Sequence, residues 1–293
     1  MKTILLAFVI MITTGFAVAQ ENNNTFTYKV GDLEVVLLSE GQQSGNKGIL
    51  IGATEDMLSK YAPDGTFPNA VNAFLVKAPN QNILVDAGFG RNLFSNLASA
   101  GVEEEQINTI ILTHMHGDHI GGLLRDGKKA FPNAKLYLSD TEHNYWMSDT
   151  EMNKVAEGSR GGFQSARNVI NAYKDALQLF SPVKIGEGSA GTNVFTGIAA
   201  YGHTPGHTVF MIESKGQKLL IWGDLTHAMA IQMPYPNVAV TYDVNPELAI
   251  KYRNEILDYV AKNNIPVAGM HIAYPGIGVV KKQQTGYQFD SLK

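Results

Sequence analysis

The stretch Thr113-His114-Met115-His116-Gly117-Asp118-His119 reads HxHxDH immediately after the apolar run Ile110–Leu112. Side chains two apart on an extended backbone point the same way, so His114 and His116 can close on one ion. The turn at Gly117 lets Asp118 and His119 swing toward a second. Imidazole with carboxylate suits zinc or a similar first-row divalent ion. Solvated loop histidines require no such spacing, so the cluster reads as metal ligands.

Further candidates stand at or just past apolar segments. Asp86 closes Ile83–Val85, and His203 and His207 sit in Gly202-His203-Thr204-Pro205-Gly206-His207. Asp224 ends Leu219–Gly223, His227 lies three residues on, and His271 follows Val267–Met270. Strand ends are where α/β folds place their chemistry. A lone aspartate after a strand is usually a cap or turn former, but several such positions beside HxHxDH shift the balance.

The apolar segments supply the architecture. Phe26–Leu38 alternates around Gly31-Asp32. Val71–Val76 and Asn82–Val85 flank Pro79-Asn80, and Val194–Ala200, Thr208–Ile212 and Lys218–Ile221 form a later set with a turn at Lys215-Gly216-Gln217. Ile265–Met270 reads as a further short strand. Helices are expected at Gly101–Asn108, from Asp140–Trp146 into a long region over Glu151–Leu179, and at Pro246–Lys262. Strands paired as hairpins as well as alternating with helices favour two mixed sheets packed face to face, with helices outside. No linker divides the chain, so residues 20–293 read as a single domain.

The first residues read differently. Lys2 precedes an apolar stretch from Ile4 to about Phe16, and Ala17-Val18-Ala19 supplies a small-x-small cleavage pattern, the features of a secretory signal peptide cut after Ala19. A membrane anchor needs about 20 apolar residues, and this run is shorter and broken by Thr13, Thr14 and Gly15. The expectation is therefore a periplasmic or secreted protein without a membrane anchor. The 293 residues include no cysteine, which removes disulfides, thiolate ligands and a cysteine nucleophile. Lys and Arg number 23 against 27 Asp and Glu, a net charge of −4. That balance offers no footprint for nucleic acid. A small-molecule substrate is expected, and a homodimer is allowed.

Together these motifs resemble the metallo-β-lactamase superfamily, from Asp86 to His271. The resemblance implies an αββα sandwich with a dinuclear site along one edge. His114, His116 and His203 would hold the first ion; Asp118, His119 and His271 the second; Asp224 would bridge. Asp86 would orient a ligand histidine through its other ring nitrogen. The histidine before Thr-Pro-Gly is the family's ligand, so His203 is chosen over His207, which would support the loop. Two divalent ions, most simply zinc, would then generate a bridging hydroxide as nucleophile.

Trp222-Gly223-Asp224-Leu225-Thr226-His227 with His271-Ile272-Ala273-Tyr274-Pro275-Gly276 resembles the exported methyl-parathion-hydrolase-like branch, which also contains N-acyl-homoserine lactonases. The expected activity is opening of lactones such as N-acyl homoserine lactones (quorum quenching). The alternatives are an organophosphate triester hydrolase and a diiron redox protein on the same fold. Asp118 would shuttle the proton. His227 stands where small cytosolic lactonases carry an oxyanion tyrosine; it is a candidate for that contact or an ordinary loop residue. Met229 and Tyr274, each a few residues from a proposed ligand, are the expected pocket wall. His143 is assigned no role.

Overall fold

The computed structural model describes residues 24–188, 191–192 and 194–292. The signal-peptide expectation for residues 1–19 lies outside them. No helix among the described residues is long and apolar enough to cross a membrane.

Two mixed sheets form the centre. The first has seven strands in the order Thr25–Val30, Leu33–Asn46, Thr66–Ala78, Gln81–Val85, Ile107–Ile111, Lys135–Ser139, Leu177–Phe180. Its first four strands pair antiparallel and the remaining pairings are parallel. The second has six: Phe195–Ala199, Thr208–Ser214, Gln217–Ile221, Val267–Ala268, Ile277–Lys282 and Tyr287–Ser291.

Alternation along the strands divides the apolar side chains into layers. Val35, Leu37, Phe74, Val76, Ile83 and Val85 point from the first sheet onto Phe210, Ile212, Leu219, Ile221 and Ile277 of the second. Their neighbours Val36, Leu38, Leu75 and Leu84 face the other way, onto helices Leu93–Ser99 and Arg160–Tyr173. The second sheet's outer face, with Val209, Leu220 and Trp222, is covered by Ile256, Leu257 and Val260 of helix Pro246–Asn263. That helix starts at an Asn245 cap with Pro246 in its first turn and stops at Asn264 in a left-handed conformation (φ 52°). The result is helix, sheet, sheet, helix.

Three sequence expectations need correction. Gly101–Asn108 is no helix: the helix precedes it at Leu93–Ser99, Gly101 turns the chain at φ 73°, and only a short 3-10 turn, Glu104–Gln106, precedes the strand. The long region over Glu151–Leu179 breaks into Asp149–Lys154, Arg160–Tyr173 and an edge strand, Leu177–Phe180. Ile265–Met270 contributes only Val267–Ala268 to the sheet. There the Gly269 backbone lies so close to the Trp222 indole that a Cβ would stand 2.2 Å from its Nε1.

Two long strands build the wall of the site. Leu33–Asn46 and Thr66–Ala78 pair beyond the body of the sheet through a bulge between Ser39 and Gly41, bringing Gln43–Asn46 and Asn69 over one sheet edge. Leu50–Ile51 then pairs with Ala239–Val240, fastening the following segment across the same edge.

Candidate metal centre

The sheet edge collects every candidate ligand. HxHxDH follows strand Ile107–Ile111, with Gly117 opening the short helix Gly117–Ile120. Asp224 and His271 follow the adjacent parallel strands Gln217–Ile221 and Val267–Ala268, and His203 stands in the loop before Thr208–Ser214. Two groups of potential ligand atoms result, His114–His116–His203–Asp224 and Asp118–His119–His271. Asp224, His227 and His271 make a third, overlapping group.

Distances place Asp224 between the first two. Its Oδ2 lies 3.2 Å from His203 Nε2, 3.7 Å from His114 Nε2 and 3.1 Å from His271 Nε2, while Oδ1 lies 3.0 Å from His119 Nε2. Asp118 Oδ2 is 3.6 Å from His271 Nε2 and 3.8 Å from His119 Nε2.

The donor set fits a cation. His116 Nδ1 lies 2.9 Å from His114 Nε2 and 3.0 Å from His203 Nε2, near the separation of about 3.3 Å between ligand nitrogens on a tetrahedral zinc. His119 Nε2 and Asp224 Oδ1 are both buried and, although 3.0 Å apart, neither makes a hydrogen bond of normal geometry among the described residues. Buried polar atoms are rarely left so, and atoms facing a common centre are the arrangement a bound ion requires.

The outward ring nitrogens are anchored. His119 Nδ1 lies 2.6 Å from Asp86 Oδ2, and Asp86 also accepts hydrogen bonds from the Thr113 N–H at 2.8 Å and hydroxyl at 2.6 Å. Asp86 takes up a left-handed conformation (φ 56°) to reach them. His203 Nδ1 lies 2.9 Å from Asp243 Oδ1, and His271 Nδ1 lies 2.8 Å from the Ala70 carbonyl and 3.2 Å from Asn69 Oδ1. Partners of this kind fix tautomer and ring orientation. His207 supports rather than lines: its Nδ1 faces the Ala200 carbonyl at 3.0 Å, and its Nε2 accepts the Asp224 backbone N–H at 3.0 Å. Gly223 makes that approach possible, at φ 55°, where a Cβ would stand 2.6 Å from His207 Nε2.

Charge follows the same geometry. Burial opposes ionisation of Asp224, but His119, His271, His227 and His114 outweigh it and hold the carboxyl well below its usual range. Burial likewise opposes protonation of His203, yet Asp224 and Asp243 raise it to about 9. His116 and His207 are pushed down to about 3 by burial and then by His203.

A cavity of about 590 Å³ opens above the ligands, lined by His116, Asp118, His203, Asp224 and His271 below. Gln43, Asn46, Ile49, Phe89 and Tyr242 stand around it. Phe89 and Tyr242 keep 41% and 53% of their surface exposed at its rim. His227 also lines it, with Nε2 2.9 Å from Asp224 Oδ2 and its backbone held by Gln232 and Asn69. The expected wall residues stand elsewhere. Met229 lines a separate groove with Met233 and Phe289, and Tyr274 packs edge-on against Phe26. Neighbours in sequence diverge here: His227, three residues past Asp224, lines the cavity, whereas Met229, five residues past it, lines the other groove.

Sequence reasoning missed Asn69, Glu142, Asp243 and Arg253. Asp243 lies in a loop with no spacing relation to His203. Glu142 stands three residues after Ser139, whose hydroxyl accepts its N–H, a spacing that reads as an ordinary helix cap.

The sequence profile of the Metallo-beta-lactamase superfamily matches residues 66–266. Hydrolase AbOPH of the beta lactamase superfamily superposes with a TM-score of 0.83 at 28% identity, covering 92% of this chain and 98% of that one. The dizinc quorum-quenching lactonase AidC, in complex with a product homoserine, superposes with a TM-score of 0.83 at 26% identity over the same shares. An uncharacterised protein, YobT of Bacillus subtilis (strain 168), is 26% identical over 197 residues, 64% of this chain and 78% of that protein. The chain belongs to the metallo-beta-lactamase superfamily and is a metal-dependent hydrolase.

Proposed function

We propose that this protein opens N-acyl homoserine lactones at a pair of divalent ions, zinc in the first instance, and that its N-terminal residues direct its export. The observation that carries the reading is the place of Asp224, which belongs to the His114–His116–His203 group and also reaches His119 and His271 of the other group, on the floor of an open cavity. Likeness to a dizinc lactonase over 92% of the chain supports the substrate class. When bound, such ions supply a nucleophile from water at neutral pH and polarise the oxygen under attack.

The chain's own residues do the rest. Burial pushes the Asp118 carboxyl up, but His119 and His271 outweigh it and hold it below its ordinary value. Asp118 therefore starts as a carboxylate facing the cavity, able to take a proton and return it to the leaving alkoxide. Burial keeps His227 neutral, lowered to about 4 despite the nearby Asp224. With the Asp224 carboxylate oxygen Oδ2 2.9 Å away to accept it, the proton of the neutral ring belongs on Nε2, so we assign His227 to holding that carboxylate rather than to the oxyanion. Phe89, Ile49 and Tyr242 offer apolar surface for an acyl chain, and Gln43 and Asn46 offer amide groups for the polar head.

The test is the ratio of kcat/KM for N-hexanoyl homoserine lactone to that for a diethyl aryl phosphotriester on zinc-loaded protein. The lactone should lead by about 100-fold. Faster cleavage of the phosphotriester would replace the lactonase reading with an organophosphate hydrolase.

A further inference from the structure

Glu142 is a carboxylate with none of its surface exposed, standing beside the centre without belonging to either ligand group. Its Oε1 accepts the Met115 N–H at 3.1 Å and the Trp146 indole N–H at 2.6 Å. Oε2 accepts the Thr204 hydroxyl at 2.7 Å and the Gly206 N–H at 2.9 Å. Burying a carboxylate is costly unless its oxygens are satisfied, and here four donors converge on two oxygens.

The sources of those donors matter. Met115 lies between His114 and His116, while Thr204 and Gly206 directly follow His203. One side chain therefore joins the two loops that supply the histidines of the first group. The His203 loop also presses onto helix Asp140–Met147: a Cβ on Gly206 would stand 2.1 Å from the Glu142 backbone nitrogen. Among the described residues, no hydrogen bond of Glu142 goes to Asp118, His119 or His271. His119 is anchored by Asp86, and His271 by Ala70 and Asn69.

We propose that Glu142 is a positioning residue that sets the gap between the His114–His116 loop and the His203 loop, and thereby the affinity of that half of the centre alone. The proposal rests on the two-ion reading above. Its chemistry predicts which changes matter. An amide at this position presents an NH2 group to one pair of donors, and in either orientation at least one backbone or indole N–H faces it. A shorter carboxylate cannot span both loops. Thr204→Val removes one donor and leaves the charge in place.

The experiment loads wild-type, Glu142→Gln, Thr204→Val and Thr204→Ser protein with zinc and titrates each against a graded chelator. Metal retained is counted by elemental analysis, and melting of the metal-free proteins is followed separately. In Glu142→Gln one zinc should stay at wild-type affinity while the other weakens by about 10–100-fold. Thr204→Val should shift the same ion by less, and Thr204→Ser should restore it, so the idea is testable even if Glu142→Gln fails to fold. Unchanged retention of both ions in folded Thr204→Val and Glu142→Gln would overturn the proposal. So would equal loosening of both ions, the mark of a general role in folding. Wild-type protein holding no zinc would overturn the two-ion reading and this proposal with it, a failure visible before any variant is made.

Discussion

Asp224→Ala is expected to lower kcat/KM for the lactone by about 10³-fold or more, the several kcal/mol of transition-state stabilisation that a correctly held divalent ion supplies. Asp224 lies within 3.7 Å of His114, His119, His203, His227 and His271 together. Without it, five imidazoles would face one another with no central anion, and the ion pair proposed above would lose its shared ligand. Metal content should fall with activity, both read on the same purified sample. His143→Ala serves as the control: that ring is half-buried, its Nδ1 lies 3.4 Å from the Asn144 side chain, and it should leave both quantities at wild-type levels. Equal losses in the two variants would contradict the division of the histidines made here.

Arg253→Met is expected to give the largest loss of stability, about 3–5 kcal/mol, the scale for removing one partner of a buried charge pair. Only 1% of Arg253 is exposed, at the buried face of helix Pro246–Asn263. Its Nε donates to the Leu225 carbonyl at 2.7 Å, and one terminal nitrogen donates to the Pro236 and Val238 carbonyls at 2.8 Å each. Burial lowers the guanidinium to about 10 against the pull of Asp243, so it remains charged at neutral pH. Methionine fills similar space but leaves the Leu225 and Pro236 carbonyls without their donor and takes from Asp243 a guanidinium 3.8 Å away. Val238 retains a hydrogen bond from Gln232. Because Asp243 holds His203, the loss is transmitted to the centre. Chemical denaturation of wild type and variant measures it; a change below about 1 kcal/mol, the scale of an exposed pair, would show that the guanidinium is not what braces this loop.

What could be read from the chain is what local geometry encodes. HxHxDH announces itself because an extended backbone repeats every two residues, and Asp86, Asp224 and His271 because each follows an apolar strand. The unbroken apolar runs Val35–Leu38 and Phe74–Val76, buried on both faces, likewise carry the two-sheet architecture. Contacts made only by tertiary approach leave no such pattern. Glu142 reaches Met115 and Gly206 across 27 and 64 residues, and Asp243 reaches His203 across 40. In sequence the first resembles a helix cap and the second a loop aspartate. Phe89 and Tyr242 line the cavity whereas Met229 and Tyr274 do not, because wall residues are chosen by where Leu33–Asn46 and Thr66–Ala78 overhang the edge, not by distance along the chain from a ligand.

The most direct test follows activity and bound metal together as the purified protein is stripped by chelation and then reloaded with zinc. Lactone turnover should vanish as the last ions leave and return in step with zinc bound to the sites that Asp224 joins. Full turnover by protein that elemental analysis finds free of metal would contradict the account at its root.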